Sequence, residues 1–201
     1  LMPPLMNNHH CFITSLGMTT RWLGAKAEAL GVEIYPGFAA AETLYDENGA
    51  VRGIATGDMG IGRDGKPKDS FTRGMELLGK YTLFAEGARG SLTKEIIAKF
   101  ALDKDCEPPK FGIGLKEVWQ IDPAKHKKGT VKHSFGWPLD MKTGGGTFLY
   151  HYDDNLVAVG FVLHLNYENP YLYPFEEFQR FKTHPLIRDT FEGGKRLAYG
   201  S

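Results

Sequence analysis

The residues best suited to chemistry in this sequence lie in a short run around two glycines, Lys80 to Leu92. Tyr81–Ala85 has the composition of a β-strand, and Ser91–Phe100 has the apolar spacing of a helix. Gly87 and Gly90 stand between them, where glycine lets a ligand approach the backbone closely. Because a helix N-terminus attracts anions, the run predicts a phosphate or nucleotide site. An ordinary tight turn is the alternative, since such a corner is a weak motif.

The other reactive side chains do not indicate a metal site, a hydrolytic site or a nucleic-acid site. Cys11 and Cys106 are far apart and have no cysteine neighbour, which argues against a zinc or iron–sulfur site made by this chain alone. No convincing serine, histidine and aspartate set and no convincing pair of carboxylates points to hydrolysis or acid–base catalysis. The formal net charge of zero gives no electrostatic case for nucleic acid.

Length and composition predict a globular chain of one or two domains with a core of its own. No run approaches the roughly 20 apolar residues of a membrane-spanning helix. Leu1–Met6 is apolar and rich in proline. We interpret it either as a linker or as the end of a segment that touches a membrane or a partner.

A first predicted domain covers residues 1–105. The apolar spacing of Thr14–Leu30 predicts a core-facing helix that Gly31 ends. The other predicted elements are extended: Val32–Tyr35, the hairpin of Phe38–Tyr45 with Val51–Thr56 around Asn48-Gly49, a turn at Asp64-Gly65, Met75–Leu78 and Tyr81–Ala85. The Gly-x-Gly-x-x-Gly fingerprint of dinucleotide-binding folds is absent. If the protein binds a dinucleotide, we expect that first strand upstream of Leu1, which would make this chain a central fragment.

A second predicted domain covers residues 106–192, after the break at Glu107-Pro108-Pro109. Four segments with turn residues between them predict an antiparallel sheet: Phe111–Ile121, Gly129–Trp137, Thr147–Tyr152 and Asn155–His164. A helix begins at Pro174 and a short helical turn covers Leu186–Thr190. Residues 193–201 are predicted to return to the first domain as a strand. The predicted fold class is therefore α+β, with mixed helices and sheets.

Seven runs, in order and with their spacing kept, extend over essentially the whole chain. They are Met6–His9, Ala27–Gly37, Phe84–Gly87, Gly112–Glu117, Gly136–Asp140, Gly145–His151 and Glu192–Arg196. Together they resemble the electron transfer flavoprotein-ubiquinone oxidoreductase family. The resemblance implies the central part of a Rossmann-like FAD-binding domain followed by an antiparallel-sheet ubiquinone-binding domain.

The resemblance also implies cofactors, a substrate and a partner. The parent enzyme would carry FAD and a 4Fe-4S cluster, with the cluster ligands outside this chain, and would pass electrons from reduced electron transfer flavoprotein to ubiquinone. Such catalysis depends on the placement of cofactors, so no catalytic side chain is expected. Peripheral binding to the inner membrane is implied, on the bacterial cytoplasmic face or the mitochondrial matrix face.

Individual positions follow from the matched motifs. Ala40, Glu86 and Gly87 match FAD-contacting positions, where small residues or backbone groups meet the cofactor. Gly145 and Gly146 match a glycine pair whose backbone binds a quinone carbonyl, and Phe148 adds an apolar wall. The alternative for the glycines is a flexible hairpin tip.

Two further points stay open at this stage. Tyr150 and His151 are candidate proton donors to a reduced quinone, although a histidine in a strand is more often structural. Two other functions remain: a flavoprotein of the geranylgeranyl-reductase type, or a cofactor-free quinone-binding or interaction fragment. The isolated fragment is expected to be inactive.

Overall fold

The computed structural model describes residues 9–201. The tail Leu1–Met6, with its predicted membrane contact, lies outside the described residues, and so do Asn7 and Asn8 of the first motif. The chain divides into two compact units, one of residues 26–107 and the other of residues 9–25 and 108–201. The domain limits predicted from the sequence stay a prediction.

The helices and strands follow one another in the following order. They are α1 (Leu16–Ala29), β1 (Ala40–Tyr45), β2 (Val51–Thr56), β3 (Met59–Ile61), β4 (Pro67–Thr72), β5 (Glu76–Leu78), α2 (Ser91–Phe100), β6 (Gly112–Gln120), β7 (Val131–Ser134), β8 (Gly145–Tyr152), β9 (Leu156–His164), α3 (Pro174–Lys182), α4 (Pro185–Phe191) and β10 (Lys195–Gly200). The mixture of helices and antiparallel sheets confirms the predicted α+β class.

The unit of residues 26–107 contains the predicted hairpin. β1 and β2 pair antiparallel, and β5 adds a third strand beside β2. The hairpin turn forms because the Asp46 carboxylate accepts hydrogen bonds from the backbone N–H groups of Asn48 and Ala50, at 2.9 and 2.8 Å. Gly49 adopts φ +79°, which glycine tolerates without strain. A separate two-stranded hairpin, β3 with β4, encloses the predicted Asp64-Gly65 turn.

Two strand predictions in this unit were wrong. Val32–Tyr35 and Tyr81–Ala85 form no strand, because a strand requires a hydrogen-bonded neighbour and neither segment has one among residues 9–201. Leu83 is 92% exposed. The helix prediction for Thr14–Leu30 is confirmed by α1, but its core-facing character is not, because α1 buries none of its residues.

The other unit is built on a five-stranded antiparallel sheet in the order β10-β6-β9-β8-β7. Strands β6, β7, β8 and β9 confirm the four predicted β segments. Residues 193–201 were predicted to return to the first domain, but the structure corrects this: β10 pairs with β6 at the edge of this sheet. An ion pair of 3.2 Å between Arg196 on β10 and Glu117 on β6 also joins the two strands.

One face of this sheet is buried under α3 and α4. In β8 the buried residues alternate with half-buried ones, since successive side chains of a strand point to opposite faces. The buried set packs against Phe178 and Phe181 of α3 and Ile187 and Phe191 of α4. We call the opposite side, which α3 and α4 leave uncovered, the open face. On β8 it carries Gly146, Phe148, Tyr150 and Tyr152.

Among residues 9–201, no helix has both the length and the apolar character needed to cross a bilayer.

Candidate functional site

The predicted quinone-binding glycines lie at the first two positions of β8. Gly145 is opposite Leu163, and Gly146 is opposite Val162 on β9. The His164 N–H donates to the Gly144 carbonyl at 2.9 Å, which makes these two residues a hydrogen-bonded pair. Because bonded and non-bonded pairs alternate in antiparallel ladders, the Gly146 backbone groups face β9 and those of Gly145 face away from it.

The Gly145 backbone has no strand beside it on its other side. The pairing of β7 with β8 begins only at Ser134 and Thr147, two residues further along β8. The Gly145 N–H and C=O therefore point past the end of β7, and Gly145 is only half buried. A backbone amide in this position is available to a ligand oxygen.

Packing alone also requires glycine at both positions. A Cβ at Gly145 would lie 2.4 Å from the Val162 carbonyl oxygen and 2.8 Å from Leu139 Cδ1. A Cβ at Gly146 would lie 2.8 Å from the Ser134 carbonyl oxygen. The glycine pair is therefore part of a paired strand, and a flexible hairpin tip does not describe it.

The third predicted quinone contact, Phe148, lies on the open face. Its ring lies directly over Gly160 of β9, where a Cβ would be 2.1 Å from the ring. The same ring stacks on Tyr150, with centroids 4.9 Å apart and the planes at 29°. Because Gly160 has no side chain, the Phe148 ring can lie flat against the sheet.

The open face has two depressions, and the Phe148 ring lines the smaller one. One, of about 620 Å³, is lined by Pro109, Lys110, Phe111, Gly112, Val162, His164, Leu165 and Asn166. The other, of about 380 Å³, is lined by Gly114, Leu115, Lys116, Phe148, Val162, Gly200 and Ser201. Val162 borders both, so the depressions are adjacent. Their volumes fall in the range of small-molecule sites.

The two candidate proton donors lie on different faces. His151 is 3% exposed on the buried face, and its Nδ1 accepts a hydrogen bond from the Lys127 N–H at 3.1 Å. Burial, together with the nearby charges of His126, Lys132 and Lys127, lowers the His151 pKa to about 4. Tyr150 faces the open side, and burial raises its pKa.

His133 on β7 was not singled out in the sequence, yet it is bonded to Tyr150. His133 Nε2 lies 2.7 Å from the Tyr150 hydroxyl oxygen. The contact follows from register, because His133 is opposite Phe148 and so shares the open face with Tyr150. No spacing rule in the sequence connects residues 133 and 150, and only the strand pairing does.

A second group absent from the sequence analysis is a buried carboxylate on β6. Glu117 accepts hydrogen bonds from Lys182 at 2.6 Å, Trp119 at 2.7 Å and Arg196 at 3.2 Å. Burial opposes its ionisation, but these three donors outweigh burial and leave its pKa below the ordinary value. The cluster joins β6 to α3 and β10 on the buried face, so we assign it to stability.

The predicted FAD contacts lie in the unit of residues 26–107. Ala40 is the exposed first residue of β1, opposite Thr56. The Glu86 carboxylate accepts from the Thr93 hydroxyl and the Thr93 N–H, both at 2.7 Å, and these bonds lower its pKa. The N-terminus of α2 thus already has an internal anion, and a cofactor phosphate is not needed there.

Gly87 offers the backbone approach that a flavin nucleotide requires. It adopts φ +78°, and a Cβ there would meet no atom within 4 Å. Open space over an exposed glycine backbone fits close contact with a cofactor. No hydrogen bond joins Ala40 to Glu86 or Gly87 within the described part, so their common role stays a prediction.

The described residues do not fit an iron–sulfur cluster. Cys11 and Cys106 are both free and exposed, and residues 9–201 contain no group of three or more potential metal-ligating side chains. The placement of the cluster ligands outside this chain stays a prediction.

Comparison with known proteins gives concordant results. Residues 111–201 match the family described as ETF-QO, ubiquinone-binding. The whole chain is 56% identical to the electron transfer flavoprotein-ubiquinone oxidoreductase of Pseudomonas aeruginosa and 57% identical to the mitochondrial protein of Bos taurus. It covers 36% and 33% of those two proteins, so the chain spans about a third of the relatives it matches.

A solved structure agrees on the fold. The flavin-dependent brominase Bmp2, in a triple mutant, aligns with a TM-score of 0.57 over 90% of this chain and 42% of its own. Its 11% sequence identity supports the fold alone. The match to the oxidoreductases extends over the whole of this chain, and the chain therefore belongs, as a part about a third of their length, to the electron transfer flavoprotein-ubiquinone oxidoreductase family.

Proposed function

We propose that this chain is the central part of an enzyme that passes electrons from reduced electron transfer flavoprotein to ubiquinone, and that the open face binds the ubiquinone. The observation that carries the proposal is the backbone of Gly145, which points past the end of β7 beside an apolar surface. Relatives along the whole chain carry the same activity in their names.

The open face suits a quinone in both its polar and apolar parts. A quinone carbonyl oxygen only accepts hydrogen bonds, so the Gly145 N–H is the group that can hold it. Phe148 and Val162 present apolar surface to the ring and the isoprenoid tail. Because Gly160 and Gly114 carry no side chains, this surface is flat enough for a planar ring.

Of the redox groups of the proposed enzyme, we assign only FAD to residues of this chain. Ala40, Glu86 and Gly87 would approach FAD through backbone or small groups, and the bound flavin would supply the electrons. Glu86 itself would position the Gly87 turn, because its carboxylate is bonded to the start of α2. The 4Fe-4S cluster, the electron transfer flavoprotein contact and peripheral binding to the inner membrane belong to the whole enzyme. The isolated chain is proposed to be inactive.

The proposal is tested best by altering Phe148, since replacing either glycine would disturb the sheet. We expect Phe148→Ala in the full-length protein to weaken binding of a short-tail ubiquinone about tenfold, which is the usual loss on truncating a buried aromatic anchor. Phe71→Ala is the control, because Phe71 is an aromatic residue of β4 in the other unit.

Binding is measured by titration calorimetry, and unfolding midpoints establish that both variants are folded. Equal affinity of wild type and Phe148→Ala would refute the placement of ubiquinone on the open face. Failure of the wild type to bind any ubiquinone would refute the proposed function itself.

A further inference from the structure

The partial burial of His133 and Tyr150 does not by itself explain why their side chains form a hydrogen-bonded pair. The two side chains meet on the open face through the 2.7 Å contact between His133 Nε2 and the Tyr150 hydroxyl. The other ring nitrogen, His133 Nδ1, is buried and has no hydrogen-bond partner among the described residues. A buried polar atom left unsatisfied calls for a functional or solvent-linked explanation.

We propose that Tyr150 donates a proton to the ubiquinone bound on the open face and that His133 then gives a proton back to Tyr150. The inference rests on the proposed function. Reduction of a quinone to a quinol takes up two electrons and two protons. The electrons come from the reduced flavoprotein donor, but an apolar site needs its own proton source.

This pair supplies one of the two protons, and the other comes from solvent water. The Tyr150 O–H bond breaks as an O–H bond forms on the reduced quinone oxygen. The Tyr150 oxygen then takes the proton of His133 Nε2, and His133 Nδ1 takes a replacement proton from solvent water. An imidazole can do this because each of its nitrogens can either donate or accept. Nδ1 has no partner among the described residues, so it is the ring nitrogen that is left to take this proton.

The position of the hydroxyl is compatible with a quinone held at Gly145. Tyr150 leans toward His133, whose register partner is Phe148, so its hydroxyl lies near the level of Phe148 along β8. Phe148 is three residues from Gly145, or about 10 Å along the strand. A quinone that is bound through one oxygen at Gly145 and lies over the Phe148 ring would extend its opposite oxygen toward the Tyr150 hydroxyl.

The other titratable groups of the open face are less well placed. His151 faces the buried side and is excluded by direction. Lys116 lies two strands from β8, and Lys110 precedes β6. His164 lies beside Gly144 and is the strongest competitor, but it is exposed and nothing bonds its ring to a relay. The control position is His184, which caps the start of α4 on the covered side of the sheet, because asparagine can replace it as a cap.

The test uses the full-length enzyme with reduced electron transfer flavoprotein as donor and two acceptors. Short-tail ubiquinone takes up protons on reduction, whereas ferricyanide takes up an electron alone. We expect Tyr150→Phe to lower kcat for ubiquinone about 100-fold, the usual effect of removing a proton-transfer group, with KM nearly unchanged. The ferricyanide rate should not change. The substitution keeps the ring that stacks on Phe148.

His133→Asn, His164→Asn and the control His184→Asn complete the experiment. The relay predicts a loss with His133→Asn, an enlarged solvent deuterium effect on its ubiquinone kcat, and no loss with His184→Asn. The inference is overturned if Tyr150→Phe keeps the wild-type kcat, if it slows both acceptors equally, or if His164→Asn causes the larger loss. Should Tyr150→Phe fail to fold, His133→Asn alone decides. A wild-type enzyme that reduces ferricyanide but never ubiquinone refutes the proposed function instead.

Discussion

The buried carboxylate of Glu117 allows a quantitative test of what stabilises the five-stranded sheet. Its side chain is 2% exposed, and that of Lys182 is 12% exposed. Replacement of Glu117 by glutamine leaves the Lys182 ammonium with no opposite charge in a nearly buried position. Breaking one side of a buried pair in this way is strongly destabilising, because the remaining charge is uncompensated.

We expect Glu117→Gln to lower the free energy of unfolding by about 3 kcal/mol, at the lower end of the range for such pairs. The lower end applies because Arg196 is 42% exposed and can turn to water, and because the glutamine oxygen still accepts a hydrogen bond. Glu192→Gln is the matched control. Its pair with Arg188 is 3.7 Å long and exposed, so we expect a loss of less than about 1 kcal/mol.

The assay is urea unfolding followed by tryptophan fluorescence, since Trp119 lies in the cluster. The pKa of Glu117 is lowered on folding, so its contribution is present above its ordinary value of 4.5 and is lost as pH falls through the lower folded value. The difference between wild type and Glu117→Gln should therefore shrink in acid. Equal losses for Glu117→Gln and Glu192→Gln at pH 7 would refute this reasoning.

Three further predictions concern packing and titration. Gly160→Ala should displace the Phe148 ring, lower stability by about 1–3 kcal/mol and weaken ubiquinone binding. Gly57→Ala, in the other unit, whose Cβ would make only a 3.5 Å contact with Ala41, should do neither in the same assays. Glu86→Gln should weaken the start of α2 and lower amide-exchange protection there. In the wild type the protection factors of the same amides should fall in acid, because the pKa of Glu86 is lowered on folding. Folding depresses the His151 pKa from 6.5 to about 4, so His151 is protonated in the unfolded state at a higher pH than in the folded state. Wild-type stability should therefore fall as the pH drops from 6.5 to about 4. His151→Gln should lose this pH dependence in urea titrations.

Much of the sheet could be predicted because its signals are local. β8 and β9 are consecutive strands joined by a short turn in which Asp153 and Asn155 adopt positive φ, a conformation these two residue types tolerate. Alternation of buried and half-buried residues then follows from the period of a strand. The failures at Val32–Tyr35 and Tyr81–Ala85 have the opposite cause. Their composition favours strands, but a strand also requires a neighbour, and no neighbour can be read from local composition.

The candidate site was only partly predictable for the same reason. Gly145, Gly146 and Phe148 lie within one motif, so the resemblance located them together. It did not distinguish the two glycines, because the direction of a backbone amide depends on the ladder. His133 and Glu117 acquire their partners across strands or from a distant helix. Their importance is a consequence of register and packing, which the linear sequence does not display.

A crystal structure of the full-length protein with a short-tail ubiquinone would show where the quinone binds. We expect the quinone ring on the open face over Phe148, with one carbonyl oxygen about 3 Å from the Gly145 backbone nitrogen. The Gly146 amide should remain paired with β9. A quinone bound away from the open face, or one whose oxygen is held by Gly146 with the β9 pairing broken, would contradict this expectation.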